Sequence, residues 1–149
     1  MTGWAGFAAA EPDLADQVRA RFGAGRHCTI ASLRADGSPR ISGIEVAFED
    51  GELVLGMMPG SLKAADLLRD ARLALHSPTR DPEGPDGTGW PGEAKVAGRA
   101  VALGPPDADG HRFRVDLDEV VLTAIGDPAD HLVVTAWHPG RGVERHRRY

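Results

Sequence analysis

Two Asp-Gly steps, Asp36-Gly37 and Asp50-Gly51, set the strongest limit on how this chain can fold. Such a pair supplies the positive-φ residues that tight hairpin turns demand. Each step lies between runs of strand character. His27 to Arg34 alternates, with Cys28, Ile30 and Ser32 on one side and Thr29, Ala31 and Leu33 on the other. Pro39 to Glu49 follows the first turn. Glu52 to Met58, with its apolar Leu53-Val54-Leu55, follows the second. Successive side chains of a strand face opposite ways, so the three runs predict an antiparallel meander. Gly43, inside the middle run, predicts a bulge or the close approach of a ligand or another backbone.

Further strand patterns occupy Arg72 to Ser77, Glu93 to Leu103, His111 to Ile125 and His131 to Trp137, with a short terminal one at Gly142 to His146. Pro78 to Gly92, rich in Pro, Gly and Asp, exceeds an ordinary connection and is either mobile or functional. Glu11 to Phe22 reads as a helix. Leu14, Val18 and Phe22 make one stripe, Pro12 suits a first turn, and Gly23 and Gly25 end it. Six or seven hairpin-linked strands with only two helices predict a mainly β antiparallel barrel. No repeat or second domain is visible, so residues 1–149 are read as one domain.

Composition excludes several functions. The net charge of −5 and the lack of a basic stripe argue against nucleic-acid binding. The basic run Arg145-His146-Arg147-Arg148 reads as a solvated, frayed end. No apolar run approaches the roughly 20 residues of a membrane span, and Met1 to Ala10 lacks the pattern of a signal peptide. A single cysteine, Cys28, rules out an internal disulfide and fits a cytoplasmic protein.

The second meander turn leads into Gly56-Met57-Met58-Pro59-Gly60-Ser61-Leu62-Lys63-Ala64-Ala65-Asp66-Leu67-Leu68-Arg69-Asp70. Pro59-Gly60 ends the strand, and Ser61 stands where a helix N-cap belongs. Leu62, Ala65 and Leu68 predict the apolar face of that helix. Lys63 falls in the first turn, where the helix dipole disfavours a cation. It belongs there if an anion sits between it and the free N–H groups, which makes this a candidate phosphate cradle. Alternatively, Lys63 pairs on the helix surface with Asp66, three residues on.

Catalytic groups are harder to find. Cys28 lies mid-strand as a buried, inert thiol, no G-x-S-x-G elbow occurs, and the histidines lack metal-ligand spacing. No pair of carboxylates stands out as an acid/base couple. Metal ligands and catalytic residues are therefore left unassigned, which suits a reaction carried by a cofactor. Met57-Met58 reads as core filler or as flanking a ring, Trp137 as core or dimer contact, and Trp90 as packed on the barrel or covering a flat ring.

Together these motifs resemble the pyridoxamine 5′-phosphate oxidase-like split-barrel family. The resemblance runs from Thr29 to about Leu103 and rests on Asp36-Gly37-Ser38-Pro39-Arg40, the third strand, Ser61-Leu62-Lys63, Arg72-Leu73-Ala74-Leu75 and Val96-Ala97-Gly98. It implies a six-stranded Greek-key split barrel, a homodimer, and FMN or the deazaflavin F420 at the dimer interface. It places the flavin along Arg40, Ile41, Ser42 and Gly43, gives Gly56 and Met57 backbone contacts, and puts the phosphate on Ser61 and Lys63. Arg40 alternatively is an exposed strand residue after a turn.

Three departures bear on function. Leu62 replaces the basic residue usual between Ser and Lys. Glu45 stands where the oxidases place a substrate-binding Lys, and Glu93 near a flavin-contacting Gln. The oxidases' C-terminal Arg-Leu-Ala-Pro segment is absent. The expectation is an FMN- or F420-dependent oxidoreductase acting on an unknown small organic substrate, other than the oxidase itself. The alternative is a non-catalytic cofactor- or ligand-binding split barrel with a weakened phosphate site.

Overall fold

The computed structural model describes residues 2–85 and 87–149. Two helices, α1 (Trp4–Ala10) and α2 (Pro12–Phe22), precede the sheet, and α3 (Leu62–Arg69) interrupts it. The strands are β1 (Cys28–Leu33), β2 (Pro39–Ile44), β3 (Val46–Glu49), β4 (Glu52–Met57), β5 (Arg72–His76), β6 (Glu93–Ala102), β7 (His111–Ile125), β8 (Leu132–His138) and β9 (Gly142–Arg148). All pairings between them are antiparallel.

The strand order is β2-β1-β5-β6-β7-β4-β3. Its two ends are consecutive in sequence, separated only by Glu45. Counted as one bent strand, β2–β3 closes a ring of six segments. The expected count of six therefore holds for the ring but not for the sheet, which has nine strands. The extra pair is the β8–β9 hairpin, joined to the ring through β7. Arg145 to Arg148, expected as a frayed end, belong to β9, because each pairs across the ladder with β8.

The Asp-Gly steps behave as their chemistry requires. Asp50 and Gly51 both have positive φ, 51° and 78°, as a tight β3–β4 turn demands. Gly37 has φ 85° in the β1–β2 turn. Gly43, by contrast, pairs regularly with Thr29, so β2 carries no bulge there, and a side chain on Gly43 would meet nothing within 4 Å. The ladder slips instead between Ala97 and Gly98, where a Cβ on Gly98 would lie 2.0 Å from the Asp116 carbonyl oxygen. Close approach of backbone on backbone occurs at Gly98, and likewise at Gly92 and Gly110, but not at Gly43.

Ile30, Leu53, Leu55, Leu75, Val96 and Val115 fill the barrel. The helices at the start of the chain contribute Trp4, Phe7, Val18 and Phe22 to the same core. Trp4 meets Phe48 edge-on at 4.8 Å, and Phe7 lies 4.7 Å from Trp137. α1 was not expected. Its signal is a short Trp4–Phe7 spacing, too brief for a periodic stripe to show. Trp137 and Met57 are core, as read, but Met58 is not: it is 78% exposed, just past the end of β4, where alternation turns it outward. Cys28 is buried, its thiol pushed up by desolvation.

Candidate functional site

Pro59-Gly60 turns the chain out of β4, with Gly60 at φ 76°. Ser61 then caps α3, its hydroxyl accepting from the Ala64 N–H at 3.3 Å. The helix does not present the expected face. Leu62 and Leu68 are 65% and 58% exposed, whereas Ala64, Asp66 and Leu67 are buried. The reason is electrostatic as well as apolar: turning Ala64 and Leu67 inward also turns in Asp66, which finds strong partners there.

Asp66 Oδ2 accepts from Arg40 Nε at 2.7 Å and from the Ser32 hydroxyl at 2.8 Å. Asp66 Oδ1 accepts from Arg69 at 2.9 Å. Arg69 also donates to the Leu33 carbonyl at 2.9 Å. One carboxylate thus joins β1, β2 and α3. Burial works to raise its pKa, but the hydrogen bonds from Arg40, Ser32 and Arg69 outweigh it and hold Asp66 below the ordinary value. Lys63 is consequently not the partner of Asp66. Its ammonium donates to the Gly43 carbonyl at 3.0 Å.

Beside this cluster lies a cleft of about 370 Å³, lined by Arg40, Ser42, Met58, Pro59, Gly60, Ser61, Leu62 and Lys63. The cleft brings together four of the eight residues expected at the site: Arg40, Ser42, Ser61 and Lys63. Strand alternation explains the rest of β2, since Arg40 and Ser42 share one face while Ile41, on the other, is 75% exposed. Gly43 contributes through its carbonyl alone. Gly56 lies on an open, exposed stretch of β4, Met57 is core, and neither lines the cleft. The wall that sequence reading did not assign to the site is Met58-Pro59-Gly60, visible only as the breaker that shapes the turn.

Chemically, the lining of the cleft is suited to an anion. It offers two cationic side chains, a hydroxyl that still has its proton to donate, and the N–H groups of Leu62 and Lys63, the Ala64 N–H being taken by the Ser61 cap. Leu62 contributes no charge and instead lines the wall with carbon. Ile41, Met58 and Leu62 form exposed apolar surface at and near this cleft.

Other polar groups lie elsewhere. Glu45 sits in the β2–β3 break with His27 Nε2 3.7 Å away, and Glu93 lies 3.4 Å from His76 Nε2. Neither lines the cleft. Trp90 borders a wider groove of about 670 Å³ with Ile125 and His131, which shares no lining residue with the α3 cleft. That groove is larger and is also lined by Arg148 and Tyr149, but it has no capped helix start. Among the described residues no three His, Cys, Asp or Glu side chains are grouped to hold a metal ion. No helix of the described residues is long and apolar enough to cross a membrane.

No family model and no curated protein matches the chain. Solved structures do. PhzG from Burkholderia lata 383, solved with tetrahydrophenazine-1-carboxylic acid, superposes with a TM-score of 0.65 at 11% identity, covering 95% of this chain and 90% of its own. A pyridoxamine 5′-phosphate oxidase-related, FMN-binding protein from Nostoc punctiforme matches with a TM-score of 0.60 at 10% identity, covering 93% and 96%. The heme storage protein HutZ from Vibrio cholerae matches at 0.53 and 11%, covering 72% and 89%. At these identities the likeness is one of fold. The chain has the mainly β split-barrel fold of the pyridoxamine 5′-phosphate oxidase-like proteins.

Proposed function

We propose that this split barrel binds FMN, with the phosphate in the α3 cleft, and acts as a flavin-dependent oxidoreductase on a small organic substrate. The observation that carries the reading is the convergence of Arg40, Ser61 and Lys63 on one cleft at a capped helix start. That donor set fits a phosphate: the Lys63 ammonium has hydrogens beyond the one given to Gly43, and the Ser61 hydroxyl can donate while it caps. The likeness to an FMN-binding protein of the same fold supports the choice of group. F420 meets the same phosphate chemistry and is the alternative cofactor.

Bound FMN would supply hydride and electron transfer, which no side chain of this cleft can perform. The chain's own residues would bind and orient. Lys63 and Ser61 would hold the phosphate, and Ser42 and Arg40 would line the approach from β2. At about 370 Å³ the cleft of one chain is near the low end of ligand pockets, which run roughly 300–1,000 Å³. We propose that a second copy completes it. The exposed Ile41, Met58 and Leu62 are the surface such a copy would cover. Light scattering should then give about twice the 15.8 kDa chain mass; a monomer at micromolar concentration would remove the two-chain site.

The test is spectroscopic. Protein titrated with FMN should quench its fluorescence and shift its absorption, whereas riboflavin, lacking phosphate, should bind more weakly. Equal binding of the two removes the phosphate assignment. A second reading is a cofactor or ligand carrier without turnover, favoured by Leu62 in place of a second basic residue and by the same fold in a heme storage protein. Reduction of the bound flavin by a nicotinamide donor, with no reoxidation by any organic acceptor, would support it.

A further inference from the structure

The buried carboxylate behind the cleft has no role in the reading above. We propose that Asp66 is a positioning residue: it grips Arg40 through Nε and so presents the rest of that guanidinium to the anion cleft. The inference rests on the flavin-phosphate reading only for the identity of the anion.

Three facts carry it. Asp66 is 2% exposed, and both its oxygens are engaged, by Ser32 and Arg40 on Oδ2 and by Arg69 on Oδ1. Donors from β1, β2 and α3 thus hold the carboxylate from three sides. Arg40 uses only Nε in this contact, and among the described residues its two Nη groups have no other partner. Because the guanidinium is planar and rigid, fixing Nε fixes the direction of the Nη edge. Arg40 borders both the cleft and a neighbouring hollow that holds Arg34, Asp66 and Arg69, so its orientation decides which of the two its charge serves.

Charge alone predicts the opposite behaviour. Asp66 is an anion close to an anion site, so neutralising it should tighten anion binding. If Asp66 acts by aiming Arg40, neutralising it should weaken binding. The two accounts differ in sign.

The experiment compares the natural protein with Asp66→Asn and Arg40→Lys. Positioning predicts that Asp66→Asn loses FMN affinity by roughly 10-fold, about the worth of one charged hydrogen bond, while riboflavin binding is unchanged. Arg40→Lys, which keeps the charge but not the fork, should lose a similar factor, and the double variant little more than either. If Asp66→Asn binds FMN as tightly as the natural protein or more tightly, the proposal fails. If Asp66→Asn does not fold, Arg40→Lys decides: unaltered FMN affinity there overturns the aimed guanidinium. A readout without flavin separates this outcome from failure of the FMN assignment. Inorganic phosphate added to the natural protein should shift the Arg40 Nε–H signal in a proton–nitrogen NMR spectrum, and Asp66→Asn should abolish that shift. A phosphate-induced shift without FMN binding would reject the flavin and keep the aimed arginine. No shift in the natural protein would reject the aimed arginine.

Discussion

Lys63 donates to the Gly43 carbonyl at 3.0 Å, although Asp66 stands one turn further along its own helix. The ammonium bridges the start of α3 to β2, residues 20 positions apart. A surface pair with Asp66 would have left the cleft with one cation fewer. Lys63→Ala should therefore weaken FMN binding by roughly 10–100-fold, the range of a charged hydrogen bond, with riboflavin unaffected. Fluorescence titration with both ligands checks it.

Leu62 is 65% exposed beside that ammonium. Leu62→Arg adds a charge to the cleft wall without disturbing the core. FMN should bind more tightly, with the gain largest at low salt and fading as the Debye length falls to about 8 Å near physiological ionic strength. An affinity independent of salt would place the phosphate elsewhere.

The pH dependence of stability should carry the mark of Asp66. Its folded pKa lies below the ordinary value, so the folded chain binds the proton less well than the unfolded one. Its contribution is complete above the unfolded value of about 3.9 and is lost as pH falls through the folded value. Asp66→Asn should cost roughly 3 kcal/mol at pH 7, the low end for breaking a buried ion pair. The gap to the natural protein should narrow below about pH 4. Urea denaturation at pH 7 and pH 3 measures both.

Gly98 faces the Asp116 carbonyl with no room for a Cβ. Gly98→Ala should destabilise the barrel by about 1–3 kcal/mol, as overpacking does. Gly43→Ala, with open space at its Cβ, should be nearly silent. Thermal melts of the two variants rank them.

Much of this architecture was legible in the chain. Asp50-Gly51 wrote a turn that only positive φ can make, and the alternation of β1 followed from Cys28, Ile30 and Ser32. The capping serine was legible because its chemistry is local. The buried face of α3 was not, because Leu62 and Leu68 outweigh Ala64 in any apolar count, whereas the helix is oriented by contacts made through Asp66 to residues 26 and 34 positions away. Long-range polar partners leave no periodic trace. Gly43 and Gly98 show the same limit, since only the second is crowded by a strand distant in sequence.

β7 pairs with β6 along most of its length, with β4 at His111–Arg114 and with β8 at Val120–Ile125. The β8–β9 hairpin therefore has a single ladder of attachment, and β9 none besides β8. Amide hydrogen exchange should resolve the sheet into two cooperative units. β9 and the outer edge of β8 should exchange by opening the hairpin alone. β6, β7 and β4 should exchange only with global unfolding. Since α3 and its cleft attach to β1 and β2 through Asp66 and Lys63, hairpin opening should come and go without disturbing the cleft.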